Sequence, residues 1–224
     1  KCSAEVADCF ATVSEITARE CKYLLQKEVD QITPNGFDPA IVPVPELMQE
    51  KRLKARNLFF QVAEAMLGYP APDDSILLLN SGRYEFRNKG IDLFIDSLGE
   101  LNKIAGKPIL AFIMAPGNIS GPNKELVDRL QGNPTHEPPA HKYLTHYIYH
   151  EEYDPVLRRI QEAGLKNEAG DRVRIIFAPA FLNGADGIFN LHYYELLSGF
   201  DLTVFPSYYE PWGYTPLESA AFGI

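Results

Sequence analysis

Two short stretches of the chain concentrate residue types that do chemistry. The first is Gly82-Arg83-Tyr84-Glu85-Phe86-Arg87-Asn88-Lys89-Gly90, lying between an apolar run and an amphipathic one. Arg83 can fork onto two phosphate oxygens, and Lys89 adds a compact charge to the same space. A helix beginning at Gly90 would aim its free N–H groups there as well. A diphosphate fits that set of groups; a pair of solvated cations in a turn is the bland alternative, and spacing alone does not separate them. The second stretch runs from Phe205 to Ala221 and holds two carboxylates, Glu210 and Glu218, on either side of a turn made by Pro211 and Gly213. With Glu210 at a strand end and Glu218 two turns into a helix, they stand at opposite ends of a pocket floored by the backbone of Gly213, Tyr214 and Thr215. Trp212 and the tyrosines around it argue against a merely solvated turn.

Those stretches need elements to hold them. Ser75 to Asn80 and Ile109 to Met114 are continuous apolar runs, the pattern of strands buried on both faces, and Arg172 to Ala178 is a further candidate strand. Leu202 to Phe205 is a shorter candidate. Between the first two, Ile91, Phe94, Ile95, Leu98 and Leu101 recur at spacings of three and four and predict a helix over Gly90–Ala105. Asn190–Ser198 reads as another helix. Strand, helix and strand in sequence imply a doubly wound, mostly parallel α/β sheet, in which ligands sit beyond the carboxyl ends of the strands.

Upstream, Phe10–Val13 reads as a strand, Glu15–Gln26 as a helix, and Thr33-Pro34-Asn35-Gly36 as a turn in which Gly36 can take positive φ. That turn is the expected domain junction, with 1–33 ending one domain and 34–224 forming the next. Pro45–Leu67 predicts a long helix with Leu58, Phe59, Val62 and Met66 inward and a solvated face of Lys51, Arg52, Lys54 and Arg56. Residues 117–165 interrupt the α/β pattern with a Pro-rich stretch, Asn133–Pro139, and then a helix over Pro155–Leu165. A helical insertion is the expectation there. Its Tyr143, Leu144, Tyr147, Ile148 and Tyr149 must pack on a second copy or on the parent domain.

Composition narrows the function classes. Among 224 residues, 30 acidic and 21 basic side chains leave a net charge of −9, which argues against nucleic-acid binding. Phosphate-loop and G-x-G-x-x-G spacings are absent. His141, His146 and His150 offer no metal-ligand set and read as structural or surface residues. Cys2, Cys9 and Cys21 match neither a zinc nor a redox spacing, and no run approaches the roughly 18 apolar residues of a membrane span. A cytoplasmic location is expected. The opening Lys1 and the apolar ending at Ile224 read as a piece of a longer protein.

The wording of the two motifs resembles one family. Glu210-x7-Glu218, set in Pro-Ser-Tyr-Tyr-Glu-Pro-Trp-Gly-Tyr-Thr-Pro-Leu-Glu, is similar to the signature of retaining glycosyltransferases with two Rossmann-like domains, the GT-B fold. Together with the stretch from Gly82 to Gly90, with Thr12–Ala18, Thr33–Gly36 and Ile176–Leu182, it resembles the animal and fungal type of glycogen synthase. The resemblance covers most of residues 5–115 and 171–224. It is weak over 117–165, where that family carries helices used in oligomerisation, so a homo-oligomer is implied for the full-length protein.

The resemblance implies UDP-glucose as donor, glycogen as acceptor, no cofactor, and a metal-free reaction, in keeping with the absence of any D-x-D pair. Arg83 and Lys89 would hold the diphosphate and Glu210 would act beside the glucose. Glu218 would bind the ribose, with Trp212, Gly213, Tyr214 and Thr215 around sugar and phosphate and Tyr193 stacked on the uracil. The donor cleft of such enzymes lies between two domains, so without the amino-terminal domain this chain is expected to be inactive. Two alternatives stand beside this one: a retaining GT-B enzyme with another acceptor, and a non-catalytic sugar-nucleotide-binding module.

Overall fold

The computed structural model describes residues 1–133 and 139–224. At the amino terminus lie α1 (Cys2–Glu5), β1 (Ala11–Thr12), α2 (Glu15–Leu25) and β2 (Gln31–Ile32), with β1 and β2 paired in parallel. Ser14 and Thr17 close a reciprocal capping box that starts α2. Thr33–Gly36 is an irregular connection, and Gly36 is not among the glycines at positive φ. Among the described residues, a single hydrogen bond joins 1–33 to the remainder, from the Tyr209 hydroxyl to Glu20 Oε2 at 2.6 Å.

Helix α3 (Pro45–Leu67) takes its bounds from its ends. Proline occupies the first turn, where no N–H is needed, and Gly68 at φ +78° closes the last by donating to the Glu64 carbonyl. Ala55, Phe59, Val62, Ala63 and Met66 are buried. Two members of the expected solvated face are only partly exposed and are bonded to the rest of the fold. Arg52 donates to the carbonyls of Ser198 and Phe200, Arg56 to that of Gly199, and both pair with Asp201. Carbonyls at a helix end lack intrahelical partners, and these guanidiniums supply them.

The centre is built from β3 (Ile76–Ser81), α4 (Ile91–Asn102) and β4 (Ile109–Met114). The chain then forms β5 (Ile119–Pro122), α5 (Lys124–Leu130), β6 (His146–Ile148) and α6 (Pro155–Glu162). It closes with β7 (Val173–Ala178), α7 (Tyr193–Leu197), β8 (Leu202–Thr203) and α8 (Tyr214–Ala221). The four central strands are parallel in the order β7-β4-β3-β8. Period-two alternation divides their side chains between two cores. Leu110, Phe112 and Met114 join α3 and α7 on one face, while Ile109, Ala111 and Ile113 join α4 and α6 on the other. Strands apolar on both faces are thereby covered on both, as the doubly wound reading requires.

The segment between β4 and β7 contains more than helices. β5 and β6 form an antiparallel ribbon, and Leu144 bridges in parallel to Phe177 on the edge of β7. Tyr143, Leu144 and Ile148 pack on the parent sheet, with Tyr149 left exposed. His146 belongs to β6 rather than to a helix, so it shares no helical face with His150. It is wholly buried, with Nδ1 against the Thr145 hydroxyl and Nε2 2.9 Å from the Asp186 carbonyl oxygen, and burial holds its pKa below the ordinary histidine value. Most of the Pro-rich Asn133–Pro139 stretch lies outside the described residues. Among the described residues no helix is long and apolar enough to cross a membrane.

Candidate active site

Strand order decides where the site lies. From β3 the chain steps outward to β4 and then to β7, and only afterwards returns to place β8 on the other side of β3. The order reverses between β3 and β8, and beyond the carboxyl ends of those two strands the loops diverge and leave a crevice. The loop after β3 is Gly82–Gly90. The loop after β8 carries Glu210. Residues some 120 positions apart in sequence are therefore neighbours.

Several contacts lock the two loops together. Lys89 Nζ and Glu210 Oε2 form an ion pair in which the side chains are 14% and 25% exposed. The Tyr208 amide donates to the Asn88 carbonyl at 3.0 Å, and its hydroxyl donates to Asp92 Oδ2 at 3.3 Å. The Arg87 guanidinium sits over the Tyr208 ring, 5.4 Å from its centroid. Gly90, at φ +65°, lies so close to the opposite loop that a Cβ would fall 2.0 Å from the Pro206 carbonyl oxygen. Glycine is required there on both counts. At Gly213, φ is negative; what a side chain would meet is Glu210 Cγ at 3.1 Å. The absent side chain lets the turn close against the carboxylate.

The helix terminus available to an anion differs from the one expected. At the start of α4, Phe86 turns its carbonyl back onto the amides of Ile91 and Asp92, at 3.0 and 3.4 Å, so those groups are occupied. At the start of α8, by contrast, the Tyr214 and Thr215 amides have no acceptor among the described residues. Open helical N–H groups of this kind favour an anion. Glu218 stands one turn into α8 rather than two, and its Oε1 accepts the Tyr194 hydroxyl at 2.8 Å. Burial, then the Glu218 carboxylate, push the Tyr194 phenol up to about 12, which keeps it a donor. Glu210 Oε1 and Glu218 Oε2 accept no hydrogen bond from any described residue, leaving each carboxylate with one oxygen for a ligand.

Arg83 is brought less close than Lys89. Its side chain is 74% exposed and pairs with Glu85 in its own loop at 2.8 Å. Trp212 packs its indole inward, where Nε1 is buried without a partner. Tyr193 donates or accepts a 2.8 Å hydrogen bond with the Ser81 hydroxyl at the end of β3 and stands edge-on to Tyr194.

Beside these residues lies a cavity of about 330 Å³ lined by Met114, Pro116, Phe181, Leu182, Tyr193 and Tyr194. It opens at the carboxyl ends of β4 and β7 and is mainly apolar with aromatic walls, the character of a planar-ring site. Phe181 was not singled out from sequence. The available signal was a large aromatic directly after the turn that ends a buried strand; the structure places it, 72% exposed, on the wall of this cavity.

A parallel sheet covered by helices on both faces, with a cationic loop, an open helix terminus and two carboxylates around its switch point, defines a Rossmann-like α/β domain. The family model for glycogen synthase matches residues 1–137 and 135–224. The chain belongs to the glycogen synthase family. It is 30% identical to a glycogen [starch] synthase of Neurospora crassa, covering all of this chain and 40% of that protein. It is likewise 30% identical to isoform 1 of Saccharomyces cerevisiae and 32% identical to the Caenorhabditis elegans protein, covering all of this chain and 41% and 42% of theirs. The chain thus spans about two fifths of the length of these relatives.

The Neurospora alignment runs over 289 positions against 224 residues, 65 more than this chain can fill. The two parts of the family match overlap at 135–137. Pro139, just beyond in sequence, packs on Gly68 after α3.

Proposed function

We propose that the chain is the donor-binding part of a cytoplasmic glycogen synthase, a retaining transferase that moves glucose from UDP-glucose to the non-reducing end of an α-1,4-glucan. The observation that carries this reading is the half-buried Lys89–Glu210 pair at the switch point, a cation for the departing diphosphate set against a carboxylate for the sugar. Uracil occupies the cavity between Phe181 and Tyr193, Glu218 takes the ribose hydroxyls, and the diphosphate lies across the amides of Tyr214 and Thr215 toward Lys89 and Arg83. As UDP leaves, negative charge grows on its β-phosphate, and fixed cations and helix amides stabilise that charge without a metal. The acceptor hydroxyl attacks from the face that UDP leaves, with the β-phosphate as base. Glu210 stabilises the positive character at the anomeric carbon.

Residues 1–33 are the end of the preceding domain in this reading. The other half of the donor cleft belongs to that domain, so this chain alone transfers no sugar, and the full-length protein acts as a homo-oligomer on glycogen. The test is transfer by the full-length protein with glycogen as acceptor, UDP-glucose against ADP-glucose. Transfer from UDP-glucose supports the reading; no transfer from either donor, or glucose transferred by residues 1–224 alone, overturns it.

A further inference from the structure

The segment between β4 and β7 contains neither motif, yet it sends one side chain back to the Gly82–Gly90 loop. Asp154 precedes α6 and is 8% exposed. Its Oδ1 caps that helix, accepting the amides of Val156 and Leu157 at 3.0 Å each. Its Oδ2 accepts the hydroxyl of Tyr84. Tyr84 stands between Arg83 and Glu85, with its ring 5.6 Å from that of Phe177 on β7. Burial, then the bond to Asp154, raise its phenol far above the ordinary tyrosine value, so the group is a permanent donor.

The rest of the loop shows why this bond matters. Toward its end, Asn88, Lys89 and Gly90 are held by Tyr208, Glu210 and Pro206. Toward its beginning, Arg83 and Glu85 bond only within the loop. Among the described residues, the Tyr84 hydroxyl makes the one hydrogen bond from Arg83-Tyr84-Glu85 to any other part of the fold. A largely exposed arginine has no geometry of its own, because its side chain carries about 2 kcal/mol of rotamer entropy. Its ion-pair partner Glu85 stands on the same arch of backbone, so the placement of that arch orients both.

We infer that Asp154 is a positioning residue for the donor diphosphate: through Tyr84 it stakes the first half of the loop to the start of α6 and so aims Arg83 at the crevice. The inference rests on the donor-site reading above. It makes the intervening segment, whatever else it serves, a structural support of the phosphate subsite.

The test uses the full-length protein, UDP titration calorimetry and steady-state rates. Tyr84→Phe deletes the hydroxyl and keeps the ring in its place against Phe177. Asp154→Ser keeps a side-chain oxygen able to cap α6 but is too short to reach Tyr84. Each variant is expected to weaken UDP binding and raise the donor KM five- to tenfold, with kcat within twofold of wild type. The double variant should be no worse than either single one. In an Arg83→Ala background, Tyr84→Phe should have no further effect on UDP affinity, an outcome that a purely structural role for the tyrosine does not produce. Unchanged UDP affinity in Tyr84→Phe overturns the inference, as does a full Tyr84→Phe effect persisting without Arg83, while both leave the donor site itself standing. Wild-type protein that binds no UDP overturns the donor-site reading and the inference with it.

Discussion

Lys89 is occupied before any donor arrives. Its ammonium is paired with Glu210 in a pocket that leaves the two side chains 14% and 25% exposed, so a donor phosphate must compete with the carboxylate for the same charge. Two unit charges about 4 Å apart attract by roughly 4 kcal/mol at an effective dielectric of 20. If about a third of that opposes phosphate binding, the carboxylate weakens UDP by about 1.4 kcal/mol, or tenfold. Glu210→Gln therefore has two opposed effects in the full-length enzyme. UDP should bind about tenfold more tightly, because Lys89 is released to it. At the same time kcat should fall at least tenfold, about 1.4 kcal/mol, because no carboxylate faces the anomeric carbon in the transition state. Lys89→Met should lose the charge-assisted phosphate bond, roughly 1.5 to 3 kcal/mol of UDP affinity. In the Lys89→Met background Glu210→Gln should no longer tighten binding. Calorimetric titration of UDP into the four proteins, with initial rates at saturating glycogen, closes the cycle. UDP affinity that is unchanged or weaker in Glu210→Gln would refute the competition.

Other perturbations probe the frame around that pair. Gly90→Ala combines a positive φ with a contact at 2.0 Å from the Pro206 oxygen; a loss of at least about 2 kcal/mol and of several degrees in Tm is expected, with kcat reduced because Pro206 leads into Glu210. Normal stability and rate in that variant would mean the two loops do not touch as described. Glu218→Gln should raise the donor KM with little change in kcat, since a ribose contact persists from ground state to transition state; a kcat loss without a KM change would exchange the roles of the two glutamates. Burial pushes the Asp201 carboxyl up, but the Leu77 amide, Arg56 and Arg52 outweigh it and hold it below the ordinary carboxylate range. A carboxyl depressed in the fold stabilises fully above about pH 4 and loses that contribution as pH falls through its folded value. Asp201→Asn should therefore lower stability at neutral pH by about 1 to 3 kcal/mol and flatten its decline as pH falls below about 4, read by chemical denaturation across pH; an unaltered pH profile would exclude this role.

What the sequence determined by itself is local chemistry with a short reach. The apolar run Ile109–Met114 is β4 to the residue because its unbroken apolar side chains suit a strand covered on both faces. Pro45 and Gly68 bound α3 because proline fits the first turn of a helix and glycine the left-handed position just past its end. The residue types at Lys89, Glu210 and Glu218 offered one cation and two carboxylates for the same reason: charge and shape belong to the side chain wherever it is placed.

Tertiary structure decided which of those groups meet. Nothing in the spacing indicated that Lys89 would be spent on Glu210, that Phe86 would close the amides of α4 and leave those of α8 open, or that Phe181 would stand at the mouth of a cavity with Tyr193. Arg52 and Arg56 read as a solvated face because the carbonyls and carboxylate they satisfy lie more than 140 residues away. Thr33–Gly36 had turn composition, but composition permits positive φ without requiring it, and Gly36 does not take it. The meetings at the crevice depend on strand order. Placing β8 beside β3 brings two distant loops to one crevice, and pairings across that crevice arise from packing of the whole sheet rather than from any window of sequence.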